Sequence, residues 1–595
     1  MSYQAPVKDL LFNIEHLARI DQIAQLPGFE DAGLETAEAV LQECARFNEQ
    51  VVAPLNFESD KAPSSHAGTA VTTSKGFKEA YKQYTTGGWQ GLQHPADFGG
   101  QGLPKTIGAA CGEMLNSASL SFALCPLLTD GAIEALLTAG SDELKATYLE
   151  KLISGQWTGT MNLTEPQAGS DLAAVRTRAE PQADGTYKIF GTKIFITYGE
   201  HDMAENIVHL VLARVQGAPE GVKGISLFVC PKFLVKPDGT PGERNDVYCV
   251  SIEHKMGIKA SPTAVLQYGD HGGAVGYLVG EENRGLEYMF IMMNAARYAV
   301  GVQGISIAER AYQQAVAYAK ERVQSRPVDG SVKAAATIIH HPDVRRMLMT
   351  MRALTEGCRA MASAAAAAYD AAHHHEDPRV RQQNQAFYEF MVPLVKGYST
   401  EMSLEATSLG VQVHGGMGFI EETGAAQHYR DAKILTIYEG TTAIQANDLV
   451  GRKTARDGGR VAKGVAEQVE LTEKRLAAGS ADAKAVAHHL HAARRAFGDA
   501  VDFIDANAKA NPNAAYAGSV PYLMLAGNLV AGWQLGRALL AAEEQLAQGK
   551  DAAFMQAKIV TARFYAEHIL PRTLALRDAI VEGAGSATAL APDSF

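Results

Sequence analysis

The sequence predicts a mainly α-helical protein with one central β region, and three observations support this fold class. Apolar residues recur at a spacing near 3.6 over long stretches on both sides of the middle of the chain, which is typical of packed helices. Between about residues 159 and 283, short alternating runs rich in Val, Ile and Thr are separated by turns, which is typical of strands. The 595 residues exceed what one hydrophobic core usually organises, so several domains are expected.

The first predicted domain covers residues 1–158 and is helical. Segments 33–41 and 75–81 have the apolar spacing of amphipathic helices, and the Gly-rich loop 94–102 interrupts the pattern. The first twenty or so residues carry charges through their apolar part, so we expect no signal peptide there.

The second predicted domain, residues 159–283, is a small antiparallel β domain. Runs such as 187–191 and 225–230 have strand-like composition. Turn sequences at 183–185 and 237–239, each ending in Asp-Gly, are suited to joining neighbouring antiparallel strands.

The third and fourth predicted domains are helical again. Residues 284–453 begin with a long amphipathic run from Leu286 to Gln324 and predict a four-helix bundle. The charged, Gly-rich segment 455–460 has the composition of a linker. Ala-rich periodic segments then predict an additional C-terminal helical domain over residues 461–595.

Composition argues against several classes of function. A net charge of −12 argues against a nucleic-acid partner, which needs a basic surface. The six cysteines form no CxxC pair, so free thiols and a cytoplasmic location are expected. The weakly charged stretch 520–535 contains Pro and Gly and predicts a buried helix, without stable membrane insertion. The run His373-His374-His375 predicts a solvated turn, and no metal site is expected.

One segment, Tyr438-Glu439-Gly440-Thr441-Thr442, is a candidate catalytic site. The two threonines are able to cap a helix from Ala443 onward, which places the Glu439 carboxylate beside helix-start amides. Gly440 allows a ligand to approach the backbone closely. Alone, the pattern also fits an acidic residue that merely stabilises a helix N-terminus.

Two further segments have the composition of a site for a flat heterocycle. Residues 161–171 combine hydroxyls, Pro and Gly in one loop, which is suited to hydrogen-bonding a polar ring edge or a pyrophosphate. In segment 191–197, Phe195 and Thr197 point to the same side if the segment is a regular strand. No GxGxxG fingerprint occurs, so a Rossmann-type flavin site is not expected.

These three segments, in this order and spacing, resemble the acyl-CoA dehydrogenase family. Further matches lie at 255–263, 322–326 and 412–419, and the resemblance covers about residues 35–450. The extra C-terminal helices, ending near Phe564–Pro571, are similar to those of the long bacterial members of the 3-methylmercaptopropionyl-CoA dehydrogenase type and their straight-chain relatives. The resemblance implies the family fold: an N-terminal helical domain, a middle antiparallel β domain, a four-helix bundle and the added helical domain.

The resemblance also implies a reaction of fatty acid β-oxidation. A Glu removes the α-proton of an acyl-CoA, FAD accepts the β-hydride, trans-2-enoyl-CoA forms, and electrons pass to an electron-transferring flavoprotein. The matching base is Glu439, and its amide is expected to donate to the thioester oxygen. Some members place the base just before an arginine on an earlier helix; the matching residue here is Ala296, which cannot act as a base. FAD reaches a neighbouring subunit in the family, which implies a homo-oligomer, most simply a dimer.

Roles carry over from the family motif by motif. Expected FAD contacts come from Met161, Leu163, Thr164, Gly169, Ser170, Phe195, Ile196, Thr197, Arg322, Gln324, Ser325, Gln412, Gly415, Gly416, Thr441 and Ala443. Expected substrate contacts come from Ser170, Asn294, Arg297, Tyr438 and Gly440. Met161 departs from the aromatic often found at its position, Phe195 replaces the commoner Trp, and Pro342 stands where shorter members often have Gln.

Two alternative functions stay open at this stage. An acyl-CoA oxidase shares the first half-reaction but uses O₂, and a non-catalytic DNA-binding relative shares the fold. The acyl chain is not specified, although Leu92 and Met293 are candidate pocket residues.

Overall fold

The computed structural model describes residues 2–595, and it confirms a mainly helical chain with a central β region. The helices that precede the sheet are amphipathic or buried, as their apolar spacing predicts. They are α1 (Val7–Phe12), α2 (Ile20–Ile23), α3 (Leu34–Phe47), α4 (Asn56–Lys61), α5 (Phe77–Thr86), α6 (Lys105–Ala118), α7 (Leu120–Ala139) and α8 (Asp142–Ile153). The short strands β1 (Ser65–Ala67) and β2 (Ala70–Thr72) pair as an antiparallel hairpin.

The central region forms an eight-stranded sheet and a separate two-stranded one. Its strands are β3 (Trp157–Asn162), β4 (Arg178–Pro181), β5 (Tyr187–Thr197), β6 (Asn206–Val215), β7 (Ser226–Pro231), β8 (Phe233–Val235), β9 (Pro241–Arg244), β10 (Val247–Ile252), β11 (Thr263–Tyr268) and β12 (Ala274–Val279). The large sheet runs β10-β11-β5-β12-β7-β6-β3, with β4 beside β5 and β6, and β8 pairs with β9.

The sequence predicts a purely antiparallel sheet, and the structure differs from this prediction at one strand. Strand β6 pairs in parallel with β3 and with β4, whereas the other pairs of the large sheet are antiparallel. Parallel pairing needs a long crossover, and the segment between β3 and β6 supplies one of more than forty residues. Short alternating runs carry no information about such a crossover, so the sequence pattern missed it.

Thirteen helices follow the sheet in the described chain. They are α9 (Gly285–Glu321), α10 (Pro342–His374), α11 (Pro378–Pro393), α12 (Ser399–Val413), α13 (Ala425–Lys433), α14 (Thr442–Gly451), α15 (Arg460–Ala477), α16 (Ala481–Asn507), α17 (Pro512–Ala517), α18 (Ser519–Ala547), α19 (Ala552–His568), α20 (Arg572–Glu582) and α21 (Ala584–Ala587). Alanines of α9 pack against Met347 and Met351 of α10 and Ala406 of α12, which lets these helices approach closely.

A π-helical turn, Leu394–Tyr398, joins α11 directly to α12. It follows Pro393, which has no amide hydrogen to donate and so disturbs the regular helical ladder. Such turns are rare and often occur at functional sites. All five residues of the turn are buried.

The added C-terminal helices share a core with the bundle. Val395 and Tyr398 of the π-turn lie in the same buried cluster as Leu523 and Leu529 of α18. Tyr398 donates a hydrogen bond from its hydroxyl to Asn528 Oδ1 at 2.7 Å. The C-terminal helices therefore pack against the bundle itself, and the proposed linker segment is a short turn, Ala455–Asp457, before α15.

The chain divides into two compact units. The first comprises the described residues of Met1–Arg46 together with Pro104–Ser117 and Arg297–Phe595. The second comprises Phe47–Leu103 and Ala118–Ala296.

One described helix, α7, has the length and apolar composition to cross a membrane, with a mean hydropathy of 1.5. In its most apolar stretch of 18 residues, 78% of the residues are buried inside the fold, as in the core helix of a globular protein. The stretch 520–535 lies in α18 and is largely buried, which confirms the prediction of a buried helix there.

Candidate active site

The segment that carries Glu439 makes a sharp turn before α14. A 3-10 turn, Ile434–Thr436, leads into it, and α14 begins at Thr442. Thr441 caps this helix by accepting a hydrogen bond from the amide of Ile444 at 3.3 Å. Both threonines were expected to be able to cap the helix, but only Thr441 does so. Thr442 is already the first helical residue, and its hydroxyl donates to Glu401 Oε1 at 2.6 Å.

Glu439 has an unusual backbone conformation. Its φ is +56°, and that of Gly440 is +86°. A non-glycine residue in the left-handed region costs about 1–2 kcal/mol and persists only where its surroundings enforce it. Such strain is common at functional sites, where it aims a side chain in a direction that an ordinary turn does not reach.

Neighbouring polar groups fix this turn. Gln445, on the first turns of α14, donates from Nε2 to the carbonyl oxygens of Glu439 and Gly440, each at 3.3 Å. Lys396, on the π-turn, donates to the carbonyl oxygens of Leu435 at 2.8 Å and Gly440 at 2.7 Å. The backbone around Glu439 is therefore held from two sides while its carboxylate stays unengaged.

The carboxylate of Glu439 is set up to accept a proton. It is partly buried, and among residues 2–595 it forms no ion pair within 4 Å. Desolvation raises the pKa of Glu439 above its ordinary value, and the positive charges of Lys396 and Arg297 partly oppose this rise. A carboxylate with a raised pKa is a stronger base than one in water.

Arg297 lies beside Gly440 and is only 6% exposed. Its Nη2 is 3.7 Å from the position that a Cβ on Gly440 would occupy. Its Nε atom is buried without a hydrogen-bond partner among the described residues. Burial lowers the pKa of Arg297, and the carboxylates of Asp448 and Glu439 oppose this shift, so the guanidinium remains charged at neutral pH.

Tyr438 belongs to a buried hydrogen-bond chain. Its hydroxyl donates a short hydrogen bond to Gln303 Oε1, and Gln303 Nε2 donates to Asn116 Oδ1 at 3.0 Å. The structure thus brings four predicted residues, Tyr438, Glu439, Gly440 and Arg297, into one neighbourhood of the first unit. Ala296, the matched position of the alternative base, is 3% exposed.

In the second unit, the two motifs expected to contact the flavin are adjacent. The amide of Ile194 on β5 donates to the carbonyl of Thr164 at 2.9 Å. Buried Lys193 forms an ion pair of 2.8 Å with Glu165 and also donates to Leu163 O at 3.0 Å. Desolvation acts to raise the pKa of Glu165, but the charge of Lys193 and the hydrogen bonds from Lys193, Thr177 and the Arg176 amide together lower it to about 2.

The aromatic position of the second motif departs from a regular strand. Phe195 has a φ of +58° and is 58% exposed, while Ile196 is 1% exposed. The pairing of β5 with β11 slips at this point, which marks a bulge. The bulge interrupts the regular strand at Phe195, so the expectation that Phe195 and Thr197 share one side, which assumed a regular strand, stays a prediction.

The remaining predicted residues of the second unit range from buried to exposed. Met161 lies on β3 and is 7% exposed, and Gly169 and Ser170 are exposed on the following loop. Asn294 is exposed on α9, Met293 is partly buried, and Leu92 is 6% exposed.

Two other predicted segments lie close together in the first unit. Arg322, Gln324 and Ser325 follow the end of α9 and are exposed, with Ser325 at a φ of +59°. Gln412, Gly415 and Gly416 are exposed around the end of α12, and Ala443 is exposed in the first turn of α14. The rings of Tyr318 and His414 stack with centroids 4.4 Å apart, which brings the ends of α9 and α12 together.

Sequence reasoning missed Lys396, Gln445 and the Glu165–Lys193 ion pair. Lys396 gave a signal, since it is the only charge in the apolar run Met391–Gly397. A lone cation in such a run is rarely buried unless it has partners. Its partners lie about forty residues further along the chain and could not be inferred from spacing.

Known protein families match the chain along most of its length. Four family models match in order: the acyl-CoA dehydrogenase N-terminal domain at residues 35–156, the middle domain at 160–270, the C-terminal domain at 283–453, and the acetyl-CoA dehydrogenase C-terminal like domain at 462–591. These ranges parallel the four predicted domains, whose own boundaries stay a prediction.

Individual relatives match over nearly the whole chain. A 3-methylmercaptopropionyl-CoA dehydrogenase of Ruegeria pomeroyi is 59% identical over 570 residues, 96% of each chain. The broad-specificity linear acyl-CoA dehydrogenase FadE5 of Mycobacterium tuberculosis is 36% identical over 97% of each chain. The crystal structure of an acyl-CoA dehydrogenase from Bacillus anthracis complexed with FAD shares the fold, with a TM-score of 0.75 and 22% identity over 96% of this chain and 91% of that one. This chain belongs to the acyl-CoA dehydrogenase family and is an FAD-dependent oxidoreductase with the family fold and an added C-terminal helical domain.

Proposed function

We propose that this chain oxidises an acyl-CoA thioester to a trans-2-enoyl-CoA, with Glu439 as the base, and passes the electrons to an electron-transferring flavoprotein. The observation that carries the proposal is Glu439 itself. Its carboxylate is unpaired in the described chain, has a raised pKa and stands on a left-handed turn beside Arg297. A cytoplasmic location and a homodimer also stay predictions from the sequence.

The residues expected to hold FAD have suitable chemistry. A Cβ built on Gly169, Gly415 or Gly416 would meet no atom within 4 Å, so a ligand can approach the backbone there. Phe195 presents a largely exposed ring for stacking, and Ser170 presents an exposed hydroxyl. When bound, FAD would supply the acceptor for the hydride that leaves the β-carbon.

The chain's own residues account for the proton step. The Glu439 carboxylate takes the α-proton of the acyl thioester, and enolate charge develops on the thioester oxygen as the C–H bond breaks. Within residues 2–595, the Glu439 amide donates no hydrogen bond, so it is available to that oxygen. The Arg297 guanidinium provides positive charge beside Gly440 for the polar part of the substrate.

Substrate identity is proposed from the similarity of relatives. The relative that is 59% identical is named for 3-methylmercaptopropionyl-CoA, and the one that is 36% identical for linear acyl-CoAs. We propose a short acyl-CoA carrying a thioether, 3-methylmercaptopropionyl-CoA, as the preferred substrate. Short straight-chain acyl-CoAs would be weaker substrates of the same site.

A substrate and acceptor survey tests the proposed reaction. The purified enzyme is assayed by dye reduction with acyl-CoAs from C4 to C18 and with 3-methylmercaptopropionyl-CoA. We expect the highest kcat/KM with the thioether substrate. A clear preference for long chains would reject the proposed substrate, and no flavin reduction by any acyl-CoA would reject the reaction.

The electron acceptor is tested on the same enzyme. After reduction by substrate, the flavin is mixed with air-saturated buffer or with an electron-transferring flavoprotein. We expect slow reoxidation in air and rapid transfer to the flavoprotein. Rapid reoxidation in air, with stoichiometric hydrogen peroxide, would identify an oxidase.

Gly440 is expected to be intolerant of a side chain. In Gly440→Ala, the new Cβ would meet Gln445 Nε2 at 2.7 Å and would stand on a φ of +86°. We expect a flavin-reduction rate lower by about 10²-fold, because the base moves away from its aligned position. The control is Gly549→Ala, which imposes a similar φ of +73° but meets no atom within 4 Å. Equal rates in the two variants would show that Gly440 does not control Glu439.

A further inference from the structure

We propose that Lys396 is a positioning residue for Glu439: it clamps the left-handed turn that aims the base. The inference rests on the proposed function of Glu439 and adds a residue to it. Lys396 lies 43 positions before the base in sequence. Only the tertiary fold brings it next to the turn that carries Glu439.

Two hydrogen bonds from Lys396 bracket the base. The Lys396 side chain is 0% exposed, and its Nζ donates to Leu435 O at 2.8 Å and to Gly440 O at 2.7 Å. One acceptor precedes Glu439 and the other follows it directly. Hydrogen bonds from an ammonium group are stronger than neutral ones, so a single side chain can keep the strained turn closed.

Lys396 also contributes positive charge near the base. The charged groups that face it are Glu439 on the turn, Arg297 on α9 and Glu401 on α12. Burial, together with the charge of Arg297, lowers the pKa of Lys396 to about 7, and the two carboxylates oppose that change, so Lys396 carries its positive charge mainly below pH 7. Lys396 in turn acts on Glu439. Of the two cations that partly oppose the rise in the pKa of Glu439, Lys396 has the larger effect.

The π-turn that carries Lys396 is itself held by the C-terminal helices. A Cβ on Gly397 would meet Leu523 Cδ2 of α18 at 2.6 Å. A Cβ on Gly527 of α18 would meet the Tyr398 ring at 2.2 Å, so the ring lies directly on the α18 backbone. The Tyr398 hydroxyl lies 2.8 Å from the Tyr565 hydroxyl of α19. These contacts leave the turn little room to move.

Together these contacts give the added C-terminal helices a role. Helices α18 and α19 fix the π-turn, the π-turn fixes Lys396, and Lys396 fixes the turn that carries Glu439. The side chains that α18 presents here, Leu523 and Asn528, are uncharged. The charges that shift the pKa of the base therefore come from Lys396 and Arg297 rather than from the added helices.

The test compares charge-removing and charge-keeping variants as FAD-loaded, full-length enzymes. Rates of anaerobic flavin reduction are measured from pH 5.5 to pH 9.5, together with acyl-CoA binding and thermal unfolding. For Lys396→Met we expect a reduction rate about 10²-fold lower at pH 7. We also expect the midpoint of the pH profile to move upward by about one pH unit, since removing a nearby cation disfavours the Glu439 carboxylate. Acyl-CoA binding should change little.

Control variants separate positioning from general damage. Lys396→Arg keeps the positive charge, but its guanidinium does not match the geometry of the two carbonyl acceptors. Its reduction rate should therefore fall, without an upward shift in the midpoint of the pH profile. Tyr398→Phe removes hydrogen bonds from the same π-turn without changing charge, so it should lower the melting temperature and leave the midpoint unchanged. If Lys396→Met does not fold, Lys396→Gln makes the same charge comparison.

Failure of the inference about Lys396 and failure of the proposed function give different results. If the wild type reduces its flavin, Glu439→Gln does not, and Lys396→Met matches the wild type in rate and midpoint, Lys396 has no positioning role. A uniform loss of rate at every pH, with no shift of the midpoint, would make Lys396 only structural and would also overturn the inference. If Glu439→Gln keeps the wild-type rate, the proposed function fails first.

Discussion

Replacing Glu439 by Gln is expected to stop acyl-CoA from reducing the flavin, with a rate loss of roughly 10³–10⁴-fold. An amide of the same shape cannot accept the α-proton. The backbone of the turn should survive, because Lys396 and Gln445 donate to carbonyl oxygens rather than to the replaced carboxylate. The measurement is stopped-flow bleaching of the oxidised flavin after mixing with substrate in the absence of oxygen.

The interpretation of this variant depends on what it retains. FAD content, acyl-CoA binding and melting temperature should stay close to those of the wild type. A matched control is Glu389→Gln, an exposed glutamate on α11 whose nearest cation, Lys453, is 3.9 Å away. Its reduction rate should be unchanged. A wild-type rate in Glu439→Gln would remove Glu439 as the base.

Of the proposed substitutions, replacing Arg359 is expected to cause the largest loss in the free energy of unfolding. Its guanidinium is 3% exposed and bonds to three carboxylates, from Asp9 at 2.7 Å, Glu113 at 2.5 Å and Glu309 at 2.7 Å. In Arg359→Met, these carboxylates would lose their shared counter-ion. Breaking a buried ionic network in this way costs about 3–5 kcal/mol.

Equilibrium denaturation in urea, with FAD in excess, measures this loss. The control is Arg346→Met, which removes an exposed ion pair of 2.8 Å with Asp343 and should change the free energy of unfolding by at most about 0.5 kcal/mol. Lys558 bonds to Asp9 at 2.6 Å and Glu356 at 2.8 Å, so part of the cluster keeps a cation in the variant. A loss below about 1 kcal/mol for Arg359→Met would show that this remaining cation is sufficient.

Local patterns predicted the elements well. Helical periodicity and Asp-Gly turns correctly separated the helical regions from the β region, because amphipathic spacing and turn chemistry act over a few residues. The segment around Glu439 was also recognisable, since the carboxylate, Gly440 and the Thr441 cap are contiguous. The family motifs then gave the fold and the cofactor.

Long-range geometry could not be predicted in the same way. The left-handed backbones of Glu439 and Phe195 depend on surroundings that spacing does not reveal. The parallel pairing of β6 and the ionic cluster around Arg359 join residues that are tens to hundreds of positions apart. Lys396 belongs to this group. The apolar residues around it marked it as unusual in the sequence, but only the structure shows its hydrogen-bond partners.

Proton removal at the α-carbon tests the central claim most directly. An acyl-CoA with sulfur at the β-position, (methylthio)acetyl-CoA, has an acidic α-proton but no β-hydride to transfer. The FAD-loaded enzyme is incubated with it in D₂O, and deuterium at the α-carbon is followed by mass spectrometry. We predict rapid exchange with the wild type and exchange at the uncatalysed rate with Glu439→Gln. Equal exchange with both enzymes would contradict the assignment of Glu439 as the base.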